Sequence, residues 1–221
     1  MNTMFDTLLQ LPLFQGLSQD DFTAIVGKVK LHFDKHEAGK TVIRSGDPCD
    51  RLAFLLKGEL ASKTVSDQGT YSFTEFVQAP YLIEPQSMFG LRTNYIATYA
   101  AHTDINTVCV SKPFVLNELF RYEIFRLNYL NIISSRAQNM YKRLWAETED
   151  STEKRIVHFI LEHSERPTGR KVLKIKMEDL ARFISDTRLN VSKALNKMQA
   201  KGLMELHRGE VVVFDAGLLD R

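Results

Sequence analysis

One stretch constrains this chain more than any other. From Tyr122 to Glu149, 28 residues run without a glycine or a proline. A segment of that length with none of the strong helix breakers reads as one long helix, roughly 40 Å at the helical rise and well beyond the mean globular helix. Within it Leu130, Ile133, Ala137, Met140 and Leu144 recur at spacings of three, four, three and four, the a/d repeat of a seam that meets a second helix. A narrow apolar seam on so long a helix predicts parallel homodimerisation, with packing onto the chain's own N-terminal domain as the alternative. The helix also splits the chain, because the residue pattern before it differs from the pattern after it.

Before it, Leu8–Phe14 and Ser18–Val29 read as helices. The second has Ser18 as N-cap and Phe22, Ile25, Val26 and Val29 as its apolar stripe. From Leu31 onward the period shortens. Leu31–Phe33, Thr41–Arg44, Leu52–Lys57, Glu59–Val65, Ser72–Gln78 and Asn106–Ser111 are short β-prone runs, separated by turn signals at Gly39, Gly46-Asp47-Pro48, Gly58, Gly69 and Glu84-Pro85. Strands about every ten residues with glycine-bearing turns predict an N-terminal antiparallel β-roll, jelly-roll-like or of the double-stranded β-helix type. The whole is then an α+β chain.

After it, Asp150 or Ser151 caps a helix whose Ile156, Phe159 and Ile160 face inward. A loop over Arg166–Arg170, a strand Lys171–Ile175 and a helix Glu178–Ile184 follow. A turn at Ser185-Asp186 leads to a second helix, Arg188–Lys201, ended by Gly202. Strands Leu203–Leu206 and Glu210–Phe214 then flank a hairpin turn at His207-Arg208-Gly209. Helix, turn, helix and β-hairpin make a winged helix-turn-helix. The expected organisation is a roll over 1–121, the long helix over 122–149 and a winged helix-turn-helix over 150–221.

Composition narrows function by exclusion. The longest apolar runs are about five residues, such as Leu52–Leu56, against the roughly 20 that span a bilayer, so no membrane partner is expected. Met1–Gln15 has no basic residue ahead of its apolar stretch, unlike a secretory signal, and a cytoplasmic chain is expected. Cys49 and Cys109 stand 60 positions apart with no ligand spacing, which argues against structural zinc or an iron–sulfur cluster. His158 and Glu162 share a helix face, but a solvated pair explains them better than a metal. No nucleophile elbow, phosphate loop, zinc-protease motif or dinucleotide fingerprint is present, so the chain is read as no enzyme, and as carrying no metal.

Net charge is only +2, yet Arg166–Arg208 holds eleven basic residues against four acidic ones. This is a polyanion footprint, or else a solvated face. The helix-turn-helix decides what it means. Leu180, Ala181 and Ile184 with Val191 and Leu195 are spaced to close a small core between two crossing helices. The outward face of the second helix then carries Arg188, Leu189, Ser192 and Lys193, with Asn196 and Lys197 one turn on. Arg and Lys donate to guanine, Ser to several acceptors, and Leu touches a thymine methyl, so the first four are candidate base contacts. Thr187 at the helix start, Lys176, Arg182, Lys197 and Arg208 are candidate phosphate contacts.

The run Asp179-Leu180-Ala181-Arg182-Phe183-Ile184-Ser185-Asp186-Thr187-Arg188-Leu189-Asn190-Val191-Ser192-Lys193-Ala194-Leu195 resembles the helix-turn-helix of the CRP/FNR family of bacterial transcription regulators. The N-terminal half resembles that family's cyclic-nucleotide-binding-type roll, with Gly39, Gly46 and Gly58 as turn glycines. The resemblance implies a homodimer that binds double-stranded DNA at a near-palindromic operator, with RNA polymerase as a further partner and a small molecule as effector. It also shows departures. Phe89-Gly90 is followed by Leu91-Arg92 where nucleotide-binding members carry a ribose-holding glutamate, and the Arg-Ser pair expected for the phosphate falls at Tyr95-Ile96. A buried phosphate without a cation is costly, so cyclic AMP is not expected. The cysteine set of the iron–sulfur sensors is absent, and no cofactor is expected. Leu189 stands where many members carry an acid and Lys193 where Arg is usual, which predicts an altered operator. Ser185 replaces a frequent turn glycine, a modest strain that Ser tolerates while its φ stays negative.

Phe89, Gly90, Leu91, Tyr95, Tyr99 and Tyr129 form the candidate effector pocket. The aromatic stretch Phe114, Phe120, Tyr122, Phe125 and Tyr129 either lines it or packs the long helix onto the roll. Two competing functions remain at this stage: a ligand sensor whose C-terminal domain docks a protein, and an enzyme on a cupin-like barrel. The second would need clustered metal ligands that the strands do not supply.

Overall fold

The computed structural model describes residues 9, 11–28, 31–145 and 151–219. Leu8, Gln10, Val29, the side chain of Val26, residues 146–149 of the expected long helix and the candidate cap Asp150 lie outside the described residues. Two compact units form, and neither is one continuous stretch of chain. The first comprises the described residues of 1–60 and 77–139, the second those of 61–76 and 140–221.

In the first unit α1 (Gln19–Lys28) is capped by Ser18, whose Oγ accepts the Asp21 N–H at 3.1 Å. Strands β1 (His32–His36), β2 (Thr41–Ile43) and β3 (Arg51–Lys57) follow. The hairpin β4 (Glu59–Val65) and β5 (Tyr71–Gln78) runs on into the second unit, and β6 (Tyr81–Ile83), β7 (Thr98–Ala101) and β8 (Ile105–Ser111) complete the set. One antiparallel sheet has the order β1-β8-β3-β6, and β2 pairs with β7. The turn between β3 and β4 requires glycine, because Gly58 has φ +86° and a Cβ there would stand 2.4 Å from the Asp104 carbonyl oxygen. Strands β6 and β7 escape a reading by alternation, since three or four residues give too few periods to register.

Helix α2 (Lys112–Asn117) leads to α3 (Glu123–Leu144). Phe125 is fully buried against Phe14, whose ring also meets Phe22 and Phe54 at 5.7 and 5.8 Å. The roll's core claims Phe125, Tyr129 and the half-buried Ile132 and Ile133. Ile133, assigned to the seam, is half-buried and packs against the roll's core. The exposed stripe runs instead through Leu127, Leu130, Ser134, Ala137, Tyr141 and Leu144, at spacings of three, four, three, four and three, with Met140 exposed beside it.

In the second unit α4 (Thr152–Glu162) is capped by Ser151, whose Oγ accepts the Lys154 N–H at 3.2 Å, and buries Ile156, Val157, Phe159 and Ile160. Strand β9 (Lys171–Ile175), α5 (Met177–Phe183), α6 (Arg188–Ala200), β10 (Met204–His207) and β11 (Glu210–Val213) follow, the last two closing a hairpin at Gly209. Their sheet is antiparallel in the order β10-β11-β9-β5. Beside the boundaries read from sequence at 121/122 and 149/150, the second compact unit also includes residues 61–76. The cause is strand pairing of Tyr71–Glu75 with Lys171–Ile175, a contact about one hundred positions long that leaves no local pattern in sequence.

Candidate nucleic-acid interface

The two helices of the motif are held from inside and tied at their turn. Leu180, Ala181 and Ile184 are buried against Val191, Ala194, Leu195 and Met198, so the small core expected from spacing is formed. Ser185 does not meet the condition of a negative φ: its φ is +53°, in the left-handed region. Its carbonyl and that of Ile184 both accept from Arg155 Nη1 at 3.0 Å, and that anchoring holds the strained residue. Asp186 completes the tie. Its carboxylate accepts from Thr152 Oγ1 at 2.6 Å, Arg155 Nη2 at 2.5 Å, the Thr187 N–H at 2.7 Å and Asn190 Nδ2 at 2.8 Å. The Thr152 hydroxyl, then the Asn190 amide and the Thr187 N–H, hold its pKa down to about 2. One carboxylate thereby fixes the first turn of α4 to the first turn of α6, and so sets the pose of α6.

Thr187 caps α6, its Oγ1 accepting the Asn190 N–H at 3.2 Å. On the face opposite the buried residues stand Arg188, Leu189 at 63 % exposure, half-buried Ser192 and exposed Lys193. Asn196 Nδ2 donates back to the Ser192 carbonyl at 2.7 Å. The Arg188 guanidinium lies 3.5 Å from Glu178, both side chains largely in solvent. Lys193 lines a cleft of about 250 Å³ with Asn190, Lys197 and the start of α4. The flanking cations are also exposed. Arg182 pairs with Asp179 at 2.9 Å, Lys197 with Glu153 at 2.6 Å, and Lys176 and Arg208 have no ion-pair partner among the described residues. Surface pairs of this kind are worth about 0–1 kcal/mol and exchange readily for a phosphate.

In the first unit the candidate effector residues divide between aromatic packing, an exposed turn and a cleft. Only Tyr95 lines the cleft of about 460 Å³ that opens there, beside Asp34, His36, Asp47, Arg51 and Cys109. Leu91 is wholly in solvent and Gly90 is a turn residue at φ +101°. Tyr99 is buried and donates to Glu84 at 3.2 Å. Tyr129 donates to the Pro85 carbonyl at 2.6 Å and packs with Phe89 and Phe120 at 5.7 and 5.5 Å. The aromatic stretch is thus packing between α3 and the roll. Burial pushes the Tyr95 and Tyr129 hydroxyls up and the Cys109 thiol up to about 11, so none ionises near neutrality.

Residues 33–122 match the family of the cyclic nucleotide-binding domain, and residues 154–221 match the Crp-like helix-turn-helix domain. The chain belongs to the CRP/FNR family of regulators. Among its relatives, the global nitrogen regulator of Synechococcus elongatus is 25% identical over 202 residues, covering 86% of this chain and 88% of that protein. Electron transport regulator A of Shewanella oneidensis is 25% identical over 191 residues, 81% of this chain and 73% of that one. The fold matches that of the Thermus thermophilus catabolite activator protein, with a TM-score of 0.55 at 19% identity over 95% of this chain and 96% of the other. These relatives are named as regulators, and among the described residues no helix of this CRP/FNR chain is long and apolar enough to cross a membrane.

Sequence reasoning missed the buried acid of this CRP/FNR roll. Glu84, 3 % exposed and at φ +35°, accepts from the Ile96 and Ala97 N–H groups at 2.8 Å each and from Ser87 Oγ at 2.7 Å. A signal was present: Glu84 is the sole acidic residue between Glu75 and Asp104 and follows the apolar run Tyr81-Leu82-Ile83.

Proposed function

We propose that this regulator acts as a homodimer on a near-palindromic operator, with α6 entering the major groove. One observation carries the reading: Arg188, Leu189 and Lys193 stand exposed on α6, directly opposite side chains locked into the core, so the helix is rigid and its basic face is open. In this reading Arg188, Leu189, Ser192 and Lys193 contact bases, and Lys176, Arg182, Thr187, Lys197 and Arg208 contact phosphates. The stripe Leu127–Leu144 on α3 keeps a heptad spacing and is exposed among the described residues, which suits a second copy of the same helix. Two copies then present recognition helices about one helical turn, roughly 34 Å, apart.

The effector is not cyclic AMP in this reading, and no resident cofactor takes part. The backbone N–H groups of Ile96 and Ala97, at the place where the family would receive a phosphate, already donate to the Glu84 carboxylate, and neither Tyr95 nor Ile96 supplies a cation. RNA polymerase is the protein partner this reading implies. Selection of binding sites from random duplex DNA, followed by footprinting and sedimentation, tests it. A two-fold-symmetric site bound by a dimer is the expected outcome. Equal affinity for all sequences at moderate salt, or a monomer on DNA, overturns it.

A further inference from the structure

Four donors converge on one buried carboxylate in the first unit. Glu84 Oε2 accepts from the Ile96 N–H at 2.8 Å and from Ser87 Oγ at 2.7 Å, and Oε1 accepts from the Ala97 N–H at 2.8 Å and from the Tyr99 hydroxyl at 3.2 Å. Neutral groups alone, two on each oxygen, thus hold a carboxylate that is 3 % exposed. Successive amides of an extended strand point to opposite sides, so two that aim at one carboxylate mark a concavity of the kind that receives anions. Ile96 is 60 % exposed whereas Ala97 and Tyr99 are buried, which places this concavity just below the surface.

The carboxylate reaches the concavity at a backbone cost. Glu84 has φ +35° and ψ 57°, left-handed for a residue with a Cβ, and it precedes Pro85, which narrows its choices further. Contacts from α3 on either side keep it there. Tyr129 Oη donates to the Pro85 carbonyl at 2.6 Å, and Arg136 donates to the Gln86 side-chain oxygen and to the Leu82 carbonyl, the latter at 3.4 Å. A side chain needed only to fill the core would be apolar, because a buried carboxylate is expensive to desolvate. A strained turn, clamped by α3, that delivers a carboxylate to four convergent donors is a ligand attached to its own receptor. Removing that side chain would take the acceptor away from the Ile96 and Ala97 amides and from the Ser87 hydroxyl.

We propose that the roll contains a receptor for a small carboxylate and fills it with its own Glu84, so that free anions find it closed in the intact chain. The receptor is independent of the function proposed above, since every residue in it lies in the first unit. Chemical rescue of the full-length protein tests it. Glu84→Ala removes a methylene and a carboxylate, the heavy atoms of an acetate ion. Its melting temperature should fall by at least about 5 °C, and about 0.2 M sodium acetate should regain at least about half of the loss. Sodium chloride and the neutral isostere acetamide, at the same concentration, should regain nothing beyond their effect on the wild type. With isotope-labelled isoleucine and alanine, the Ile96 and Ala97 amide resonances should move saturably with acetate in Glu84→Ala. In the wild type they should stay fixed with acetate and with inorganic phosphate. Glu84→Gly also frees the strained backbone, should show the same rescue with propionate, and serves if Glu84→Ala does not fold. Rescue by chloride or acetamide as strong as by the carboxylate overturns the receptor, as does a folded variant whose two amides ignore the carboxylate. Saturable movement of those amides in the wild type overturns the self-filling.

Discussion

Arg188 cannot serve a base and Glu178 at once, and that conflict gives a measurable coupling. The two groups are 3.5 Å apart with side chains 70 and 75 % exposed, so the pair is worth at most about 1 kcal/mol in water. An Arg fork on a guanine is worth about 1–3 kcal/mol of discrimination. Arg188→Ala should therefore weaken the operator complex by about 5- to 150-fold and relax one base position in each half-site. Glu178→Gln should strengthen it by about two- to fivefold, since Arg188 no longer leaves a partner on binding. The decisive quantity is the double-mutant cycle, read by fluorescence anisotropy on the selected operator at fixed salt. With Ala at 188, most of the benefit of Glu178→Gln should vanish. Arg182→Ala is the contrasting control, weakening all sequences alike and lowering the salt slope by about one. Full additivity of the Arg188 and Glu178 changes, or an unchanged base preference in Arg188→Ala, would refute the placement of Arg188 at a base edge.

Three further outcomes follow from the same geometry. Ser185→Gly should stabilise the protein by about 0.5–1 kcal/mol, because relief of a left-handed Ser exceeds the added freedom of the unfolded chain; a calorimetric Tm that falls would count against the strain. Asp186 has a folded pKa of about 2, below its unfolded value, so its stabilisation is fully present above about pH 4 and lost as pH falls through 2. Asp186→Asn should flatten the stability profile in that window in acid titrations followed by circular dichroism, and an unaltered slope would place the acid lability elsewhere. Leu130→Glu with Leu144→Glu should shift sedimentation from dimer to monomer and reduce operator affinity by about 10²-fold or more through loss of the second half-site, whereas a persisting dimer would move the interface off α3.

The site was legible where chemistry follows local spacing. Val191, Leu195 and Leu180 are buried and Arg188, Leu189 and Lys193 exposed as a 3.6-residue period dictates, and Thr187 caps the helix as a hydroxyl before a helical run should. The packing of the candidate effector residues was not legible. Phe89, Tyr99 and Tyr129 share aromatic character with pocket-lining residues, but burial against α3 or a bond to Glu84 uses each of them for packing. Ile133 fits the seam by spacing yet packs on the roll, because a helix with two apolar faces does not say in sequence which one its own domain will cover.

Sequence alone determined the kinds of element and their order: a strand-rich half with glycine turns, one long helix, and a winged helix-turn-helix with a basic second helix. Those are set by periodicity, breakers and caps within a few residues of each other. Tertiary structure decided what depends on distant partners: the positive φ of Ser185 under the Arg155 anchor, the Glu84 carboxylate on the Ile96 and Ala97 amides, and the transfer of residues 61–76 to the winged unit. Each joins groups from 12 to about 100 positions apart, where the energy of the contact arises only once the chain has brought the partners together and excluded water from between them.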